Sequence, residues 1–486
     1  MKLFILGLLI LLGGYAVYGK MVERILGPDD RETPAKRLHD GVDFVVLPHW
    51  KNMLIQLLNI AGVGPVIGVI LGIKFGVIAF VIIPIGNIIG GAVHDFLAGM
   101  MSLRSDGANL PRLIRENIGE KFYFVFSCFM IFLLLLVVAV FINIPAQLID
   151  GMIPGRPVFW IAVLVIFAYY IAATLFPVDK IIGSLYPVFG GLLLLGSLAI
   201  FVAMLFKLQN APELLSESAA FTEKMFTAQK GQPLIPMLFV TIACGIMSGF
   251  HATQSPIIAR TMSSERQARS SFYGMMVLEG AIAMIWAGAA LMIYNLFPAL
   301  MSKAPGAVLG DITGHFLGKY AGTVTVVSVI VLAVTSGDTA MRSLRLSLAE
   351  IINIPQSKFY SRITLCMPLI VIVCILLWWS NKSASTFNQL WNYFAWGNQV
   401  LAASTLAAAA VWLGVRKKNC WIAWIPGGFM TFVVITYILW ISPAHGGPLG
   451  FGLELNHAYL FAGFFVTLIT LWLFEKIKRG IEENTL

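Results

Sequence analysis

The sequence predicts an all-α polytopic membrane protein of about thirteen transmembrane helices. They are arranged as a five-plus-five inverted repeat with one extra helix before it and two after. Three observations lead there. Of 486 residues, 58% are hydrophobic and only 12% are charged, against about 25% charged in soluble domains, and the mean hydropathy is +0.85. Thirteen apolar stretches are long enough to cross about 30 Å of hydrocarbon. Two of them, five spans apart, are interrupted at their middles by Gly, Pro and polar residues.

The stretches run near 3–19, 54–72, 75–101, 121–145, 157–176, 181–206, 235–260, 269–296, 320–341, 360–380, 386–414, 420–441 and 457–475. The first leads from Gly19 and Lys20 straight into a charged loop, with no small-x-small cleavage site. It is read as a retained helix rather than a signal peptide. Thirteen spans put the termini on opposite sides, and charge decides which. One set of alternate loops, with the C-terminal tail, holds 24 of the 33 Lys and Arg residues. Lys and Arg accumulate on cytoplasmic loops, so the N-terminus is expected outside and the C-terminus in the cytoplasm of a plasma (inner) membrane. The net charge of +9 follows from that bias and does not point to nucleic acid.

The expected organisation is a first helix and charged cytoplasmic loop over 1–53 and a first five-helix repeat over 54–206. An extracellular loop follows over 207–234, a second repeat over 235–414, and two C-terminal helices with the tail over 415–486. The interrupted spans are numbers one and six of the ten in the repeats. Helices crossing lipid must satisfy their backbone internally, so a break is tolerated only against protein or a wet cavity. Paired breaks in matching halves point to the substrate site of a transporter. An odd number of spans per half inverts the halves, which is the LeuT-like (APC-type) arrangement. Asn59, Ala61, Gly62, Gly64 and Pro65 at the first break, and Ser248, Gly249, His251, Thr253 and Gln254 at the second, are the candidate substrate-binding residues.

Titratable and hydroxyl side chains at membrane depth are costly and mark function or pairing. Thr335, Ser336, Asp338 and Thr339 form a cluster that suits a coupling cation, though Asp338 also stands i, i+4 to Arg342, as an ion pair would. His94 and Asp95 follow a glycine face at 86 and 90. They read either as an interfacial pair that snorkels or as part of an ion path. His251 can hydrogen-bond a carboxylate or carry a proton. Glu279 is buried or cavity-facing, with no role assigned. The amides of Asn398 and Gln399 suit interhelical hydrogen bonds. Five cysteines, none in a CxxC, read as small buried hydrophobes.

Gly27-Pro28-Asp29-Asp30-Arg31-Glu32-Thr33-Pro34-Ala35 and Asp40-Gly41-Val42-Asp43-Phe44 lead into Asn59-Ile60-Ala61-Gly62-Val63-Gly64-Pro65. Gly90-Gly91-Ala92-Val93-His94-Asp95-Phe96, Ser248-Gly249-Phe250-His251 and Asp338-Thr339-Ala340-Met341-Arg342 follow in order. This set resembles the carbon starvation protein A (CstA) family over most of the chain, with His94 where some relatives carry Gln. The resemblance implies secondary transport of peptides or pyruvate during carbon starvation, and pyruvate-transporting relatives suggest proton coupling.

No HExxH and no P-loop occurs, so intramembrane metalloprotease chemistry and primary pumping are not expected. The expected protein is not an enzyme and uses no cofactor beyond a coupling ion, H+ or Na+, with no metal. Its partners are a small-molecule substrate and the lipid bilayer. The alternatives are a nutrient sensor on a transporter fold and a carrier of another small carboxylate. Loop 29–43 is expected to brace the cytoplasmic gate through ion pairs, and loop 207–234 to cap the extracellular vestibule or to be a solvated connector.

Overall fold

The computed structural model describes residues 1–41, 43–61, 63–153, 155–175, 178–228, 231–303, 305–356, 359–445, 447 and 449–483. Side chains are described for these except 178–190, 193, 226–228, 244, 384–385 and 388. The described residues are helical or irregular, with no strand. α1 (Lys2–Leu26) ends at Gly27, whose left-handed φ of 60° lets its N–H close back on Glu23 O, a glycine helix stop. A bent pair follows, α2 (His49–Ile60) and α3 (Gly64–Phe75), turned by 52°. α4 (Ala79–Arg104), the short α5 (Leu110–Asn117), α6 (Glu120–Met152), α7 (Phe159–Leu175) and α8 (Val178–Asn210) complete the first part.

The second break divides its span into α9 (Leu234–Thr241), α10 (Ala243–Ile246) and α11 (Gly249–Ala259). Then come α12 (Glu265–Leu296), the 47-residue α13 (Pro305–Ile351), α14 (Phe359–Ser380), α15 (Ala384–Val415), α16 (Trp421–Trp440) and α17 (Leu455–Glu483). Among the described residues nine helices are long and apolar enough to cross a membrane, and the bent pair makes a tenth. The difference from thirteen falls on 157–176, 181–206 and 235–260. The first two carry shorter apolar helices (Phe159–Leu175 and Leu194–Asn210), and the third is broken into three.

Burial orders the bundle. The most apolar window of α12 is 83% buried, whereas those of α1 and α17 are 22% and 17% buried. The outer helices turn large side chains outward, among them Leu9, Leu12, Trp160, Leu164, Trp378 and Leu471. Apolar faces of that extent suit lipid, and the chain is a multi-pass membrane protein. α13 packs along α6, α7 and α8, while α11 lies against α2, α4, α13 and α15. The two breaks therefore sit inside the bundle.

π-type turns open α3 (Gly64–Gly68) and interrupt α4 (Asn87–Gly91) and α12 (Arg269–Gly274). Such turns strip backbone groups of their regular partners, and side chains replace them. Asn87 Nδ2 donates to Gly245 O at the second break (3.2 Å) and to Met276 O (2.9 Å). Tyr273 Oη donates to Ile88 O (3.0 Å) and Tyr294 Oη to Ile70 O (3.3 Å). A Cβ at Gly91 would stand 2.1 Å from Ile246 O, so only glycine lets α4 reach the broken backbone.

Residues 214–217 of loop 207–234 are tied down. Asn295 Nδ2 donates to Leu214 O (2.9 Å) and Ser216 O (2.6 Å), and Glu217 accepts from Val77 N (2.7 Å). At the opposite end Arg104 donates to both oxygens of buried Glu265 (2.7 and 3.2 Å) and to the carbonyls of Leu26 and Gly27. Asp29 N also donates to Glu265 (2.9 Å), Arg31 pairs with Asp29 (2.7 Å), and Arg266 pairs with Asp30 (2.5 Å). Loop 29–43 thus joins the ends of α1, α4 and α12.

Candidate functional site

The breaks face each other. α10 packs on the first turns of α3, and His251 of α11 lies against the carbonyl of Ile60 at the end of α2. Ala61 leaves the helix at ψ 54°, Gly62 lies outside the described residues, and Gly64 and Pro65 restart it. At the second break only Met247 and Ser248 are extended, with ψ of 123° at each. His251, Thr253, Gln254 and Ser255 stand on a regular helix rather than in an unwound stretch. The polar residues made that segment look open, but the helix absorbs them: Thr253 Oγ1 donates to Phe250 O (2.7 Å) and Ser255 Oγ to His251 O (3.2 Å).

The N-terminus of α11 is held by α15. Asn398 Oδ1 accepts from Phe250 N (2.8 Å), and its Nδ2 donates to Ser248 Oγ (2.8 Å). A Cβ on Gly249 would stand 2.3 Å from Ala402 N and 2.5 Å from Asn398 O, so the contact requires glycine. Thus the N-terminus of α11 already gives one amide to Asn398.

Residues expected in separate roles converge. Asp95 accepts from His94 Nδ1 at 2.8 Å and from His251 Nδ1 at 3.0 Å, and His251 Nε2 faces Glu279 Oε2 at 3.8 Å. All four side chains are buried, so His94 and Asp95 do not snorkel to an interface: α11 and α12 cover them. Both Glu279 oxygens and Nε2 of His94 and of His251 are buried without a hydrogen-bond partner. So are both amide atoms of Gln56 and of Asn59, and Oε1 of Gln254. Gln254 Nε2 is bonded to Thr253 Oγ1 (2.8 Å) and Ser343 Oγ (3.3 Å). Buried polar atoms are normally paired, and these exceptions gather around one break.

The Thr335–Thr339 segment lies on another side of α2. Ser336 Oγ donates to Leu58 O (3.1 Å), Thr335 Oγ1 to Leu332 O (2.9 Å) and Thr339 Oγ1 to Ser336 O (2.9 Å). Asp338 Oδ2 accepts from Tyr169 Oη of α7 (2.6 Å), and Arg342 donates to Ala173 O (2.6 Å). The segment therefore bonds to α2 and α7 and is not joined to the Asp95 cluster by any bond described above. Sequence reasoning gave no role to Glu279 and missed Gln56, Asn87 and Tyr169. Only their polarity within apolar runs marked them. Among the described residues no three ligating side chains converge closely enough for a metal.

Fold and site together define a multi-span membrane protein of transporter architecture. A manganese transporter from Eremococcus coleocola superposes with a TM-score of 0.55 at 13% identity, over 91% of this chain and 99% of that one. MhsT, solved with L-phenylalanine, gives 0.53 at 13%, over 89% and 99%; at such identity the likeness is one of fold. The chain belongs to the family of the carbon starvation protein CstA, whose model matches residues 1–209, 160–316 and 300–437. Relatives include an uncharacterized membrane protein of Haemophilus influenzae, 39% identical over 59% of this chain and 89% of that protein. The peptide transporter CstA of Escherichia coli is 24% identical over 87% and 78%. That of Helicobacter pylori strain J99 is 27% identical over 56% of this chain and 48% of its own length.

Proposed function

We propose that this chain is a secondary active transporter, a cation-coupled symporter that imports peptides or pyruvate across the plasma membrane when carbon is scarce. The observation that carries the reading is the pair of facing breaks, surrounded by buried polar groups that the chain itself leaves unbonded. A substrate with a carboxylate and a carbonyl, which peptide and pyruvate share, offers partners to amides such as those of Asn59 and Gln254. Relatives named peptide transporters favour the same reading. The substrate lies between residues 59–65 and 248–256. The coupling cation, H+ or Na+, is held by His94 and Asp95 or by Thr335, Ser336, Asp338 and Thr339. The basic end is cytoplasmic, which puts the N-terminus outside. Loop 29–43 clamps the cytoplasmic ends of the spans, and loop 207–234 straps the outer face.

The test is uptake of labelled pyruvate into proteoliposomes under an imposed pH gradient, a sodium gradient or neither, with dialanine and trialanine as competitors. Uptake driven by one gradient names the ion, and competition shows one shared site. Absence of uptake of labelled pyruvate and of labelled dialanine under every gradient overturns the reading.

A further inference from the structure

We infer that a coupling proton is carried between Glu279 Oε2 and His251 Nε2, with Asp95 as the group that positions His251. This rests on the transport reading and names the residues that do the coupling. Glu279 gains a role, and of the two roles open to His251 from the sequence the pairing selects proton carriage.

The argument is one of donors and acceptors. Asp95 is a carboxylate between two imidazoles, and each presents Nδ1 to it, at 2.8 and 3.0 Å. An ionised carboxylate only accepts, so both Nδ1 atoms carry hydrogen. In neutral His251 that fixes Nε2 as a lone pair. This lone pair faces Glu279 Oε2 at 3.8 Å, with both atoms buried and neither hydrogen-bonded. If Glu279 is ionised too, two acceptors confront each other away from water. Two carboxylates with two neutral imidazoles then bury two negative charges, which is costly. A proton at Oε2 or at Nε2 removes one charge and supplies the donor the pair needs.

The surroundings offer few competitors. Asp95 and His94 are the titratable groups of α4 near the break, and Arg104 at its far end pairs with Glu265. α2, packed on both α11 and α12, has His49 and Lys51 in its first turn and only neutral side chains near the break. α15 has no acidic or basic side chain. α13 brings Asp338, Arg342 and Arg345, which bond to Tyr169, to Ala173 O and to Gln356.

In the cycle one proton arrives from the side of higher proton concentration and forms an O–H bond on Glu279 or an N–H bond on His251 Nε2. It then leaves to the other side with the substrate. No other bond changes.

The experiment pairs two readouts on the full chain. In proteoliposomes, wild type is compared with E279Q and E279D for pH-gradient-driven accumulation and for exchange at equal pH, with labelled pyruvate and labelled dialanine. In a lipid film, pH-difference infrared spectra follow the carbonyl stretch of protonated carboxyl groups, with H251N as a further variant. The expected result is that E279Q loses accumulation altogether while exchange, slowed or not, persists, and that E279D accumulates weakly. A titrating carboxyl band disappears in E279Q and shifts its midpoint in H251N. Wild-type accumulation by E279Q, or an unchanged band in E279Q, overturns the inference. If wild type moves neither solute yet the band behaves as expected, the proton site stands and the substrate reading falls.

Discussion

Two polar regions meet the first broken helix inside the bundle, and they are built differently. Along Thr335–Thr339 the hydroxyls close on backbone carbonyls, one of them Leu58 O across the helix gap, and Asp338 is met by Tyr169. Around Asp95 the bonding stops halfway: the carboxylate is shared by two imidazoles, while the outer nitrogens of both and the whole carboxyl of Glu279 have no hydrogen-bond partner. A saturated network holds helices in register. An unsaturated one is costly unless it binds something. Equal polarity in the sequence therefore conceals unequal bonding, with α13 bonded to α2 and α7 and the α4–α11–α12 cluster keeping buried polar atoms outside any hydrogen bond.

The sharpest way to break that contrast is D95N. The amide has one acceptor for two imidazole N–H groups and turns its own donor toward the second. Removing one partner from a buried charged network costs about 3–5 kcal/mol. We expect at least a hundredfold loss of gradient-driven uptake and a clear fall in thermal stability, measured by labelled uptake and by fluorescence-detected unfolding. Wild-type uptake by D95N would remove the cluster from the mechanism.

D338N and Y169F come next. Y169F removes the 2.6 Å bond from Tyr169 to Asp338, and D338N leaves only a neutral amide oxygen to accept it; a hydrogen bond to a charged group is worth about 1.5–3 kcal/mol. As a latch, the two substitutions have similar effects, and the double variant is scarcely worse than the poorer single one. Uptake should fall about tenfold or somewhat more, with the choice of driving gradient unchanged. A changed sodium response in D338N but not in Y169F would turn the saturated region into an ion site.

Much of the architecture was legible because lipid demands long apolar runs, and runs of that length are visible in any sequence. The breaks were legible for a related reason, since Gly64-Pro65 and Gly245 to Gly249 have no place in an uninterrupted span. The extent of the second break was not, because Thr253 and Ser255 satisfy themselves on their own helix, a local bond that composition does not reveal. Nor was the union of Asp95, His251 and Glu279. They come from three helices separated by 156 residues between the first two and by one loop between the last two. Pairing across such distances depends on packing, in which Gly91 and Gly249 permit backbone approaches that no side chain pattern announces.

A smaller effect tests the brace behind the cluster. Asn398 caps α11 from α15, and loss of a cap costs about 1 kcal/mol. N398A should lower thermal stability modestly and slow uptake a few-fold by loosening His251, whereas N398D, which keeps the acceptor for Phe250 N, should retain more of both. Equal loss in the two variants would mean that the bond to Ser248 matters more than the cap.

The smallest effect is expected at the clamp of loop 29–43, and it separates exposed charge from buried charge. Hydrogen bonds from Arg31 hold the Asp29 carboxyl well below the usual carboxylate range, and those from Arg266 lower Asp30 likewise. A carboxyl lowered in the folded state contributes fully above its unfolded value of about 3.9, and the contribution is lost only as pH falls toward the lower folded value. Neutral to mildly acid pH therefore leaves these pairs ionised, and any pH dependence of transport in that range arises elsewhere. Both pairs are exposed, so salt screens them, with a Debye length falling from about 10 Å at 0.1 M to about 3 Å at 1 M. Arg104 with Glu265 is buried beneath them and escapes most of that screening. D30N and R266Q should thus alter stability little and mimic wild type at high salt, while E265Q should lower stability visibly at any salt. A large loss of uptake in D30N at unchanged stability would show instead that the clamp itself opens and closes during transport.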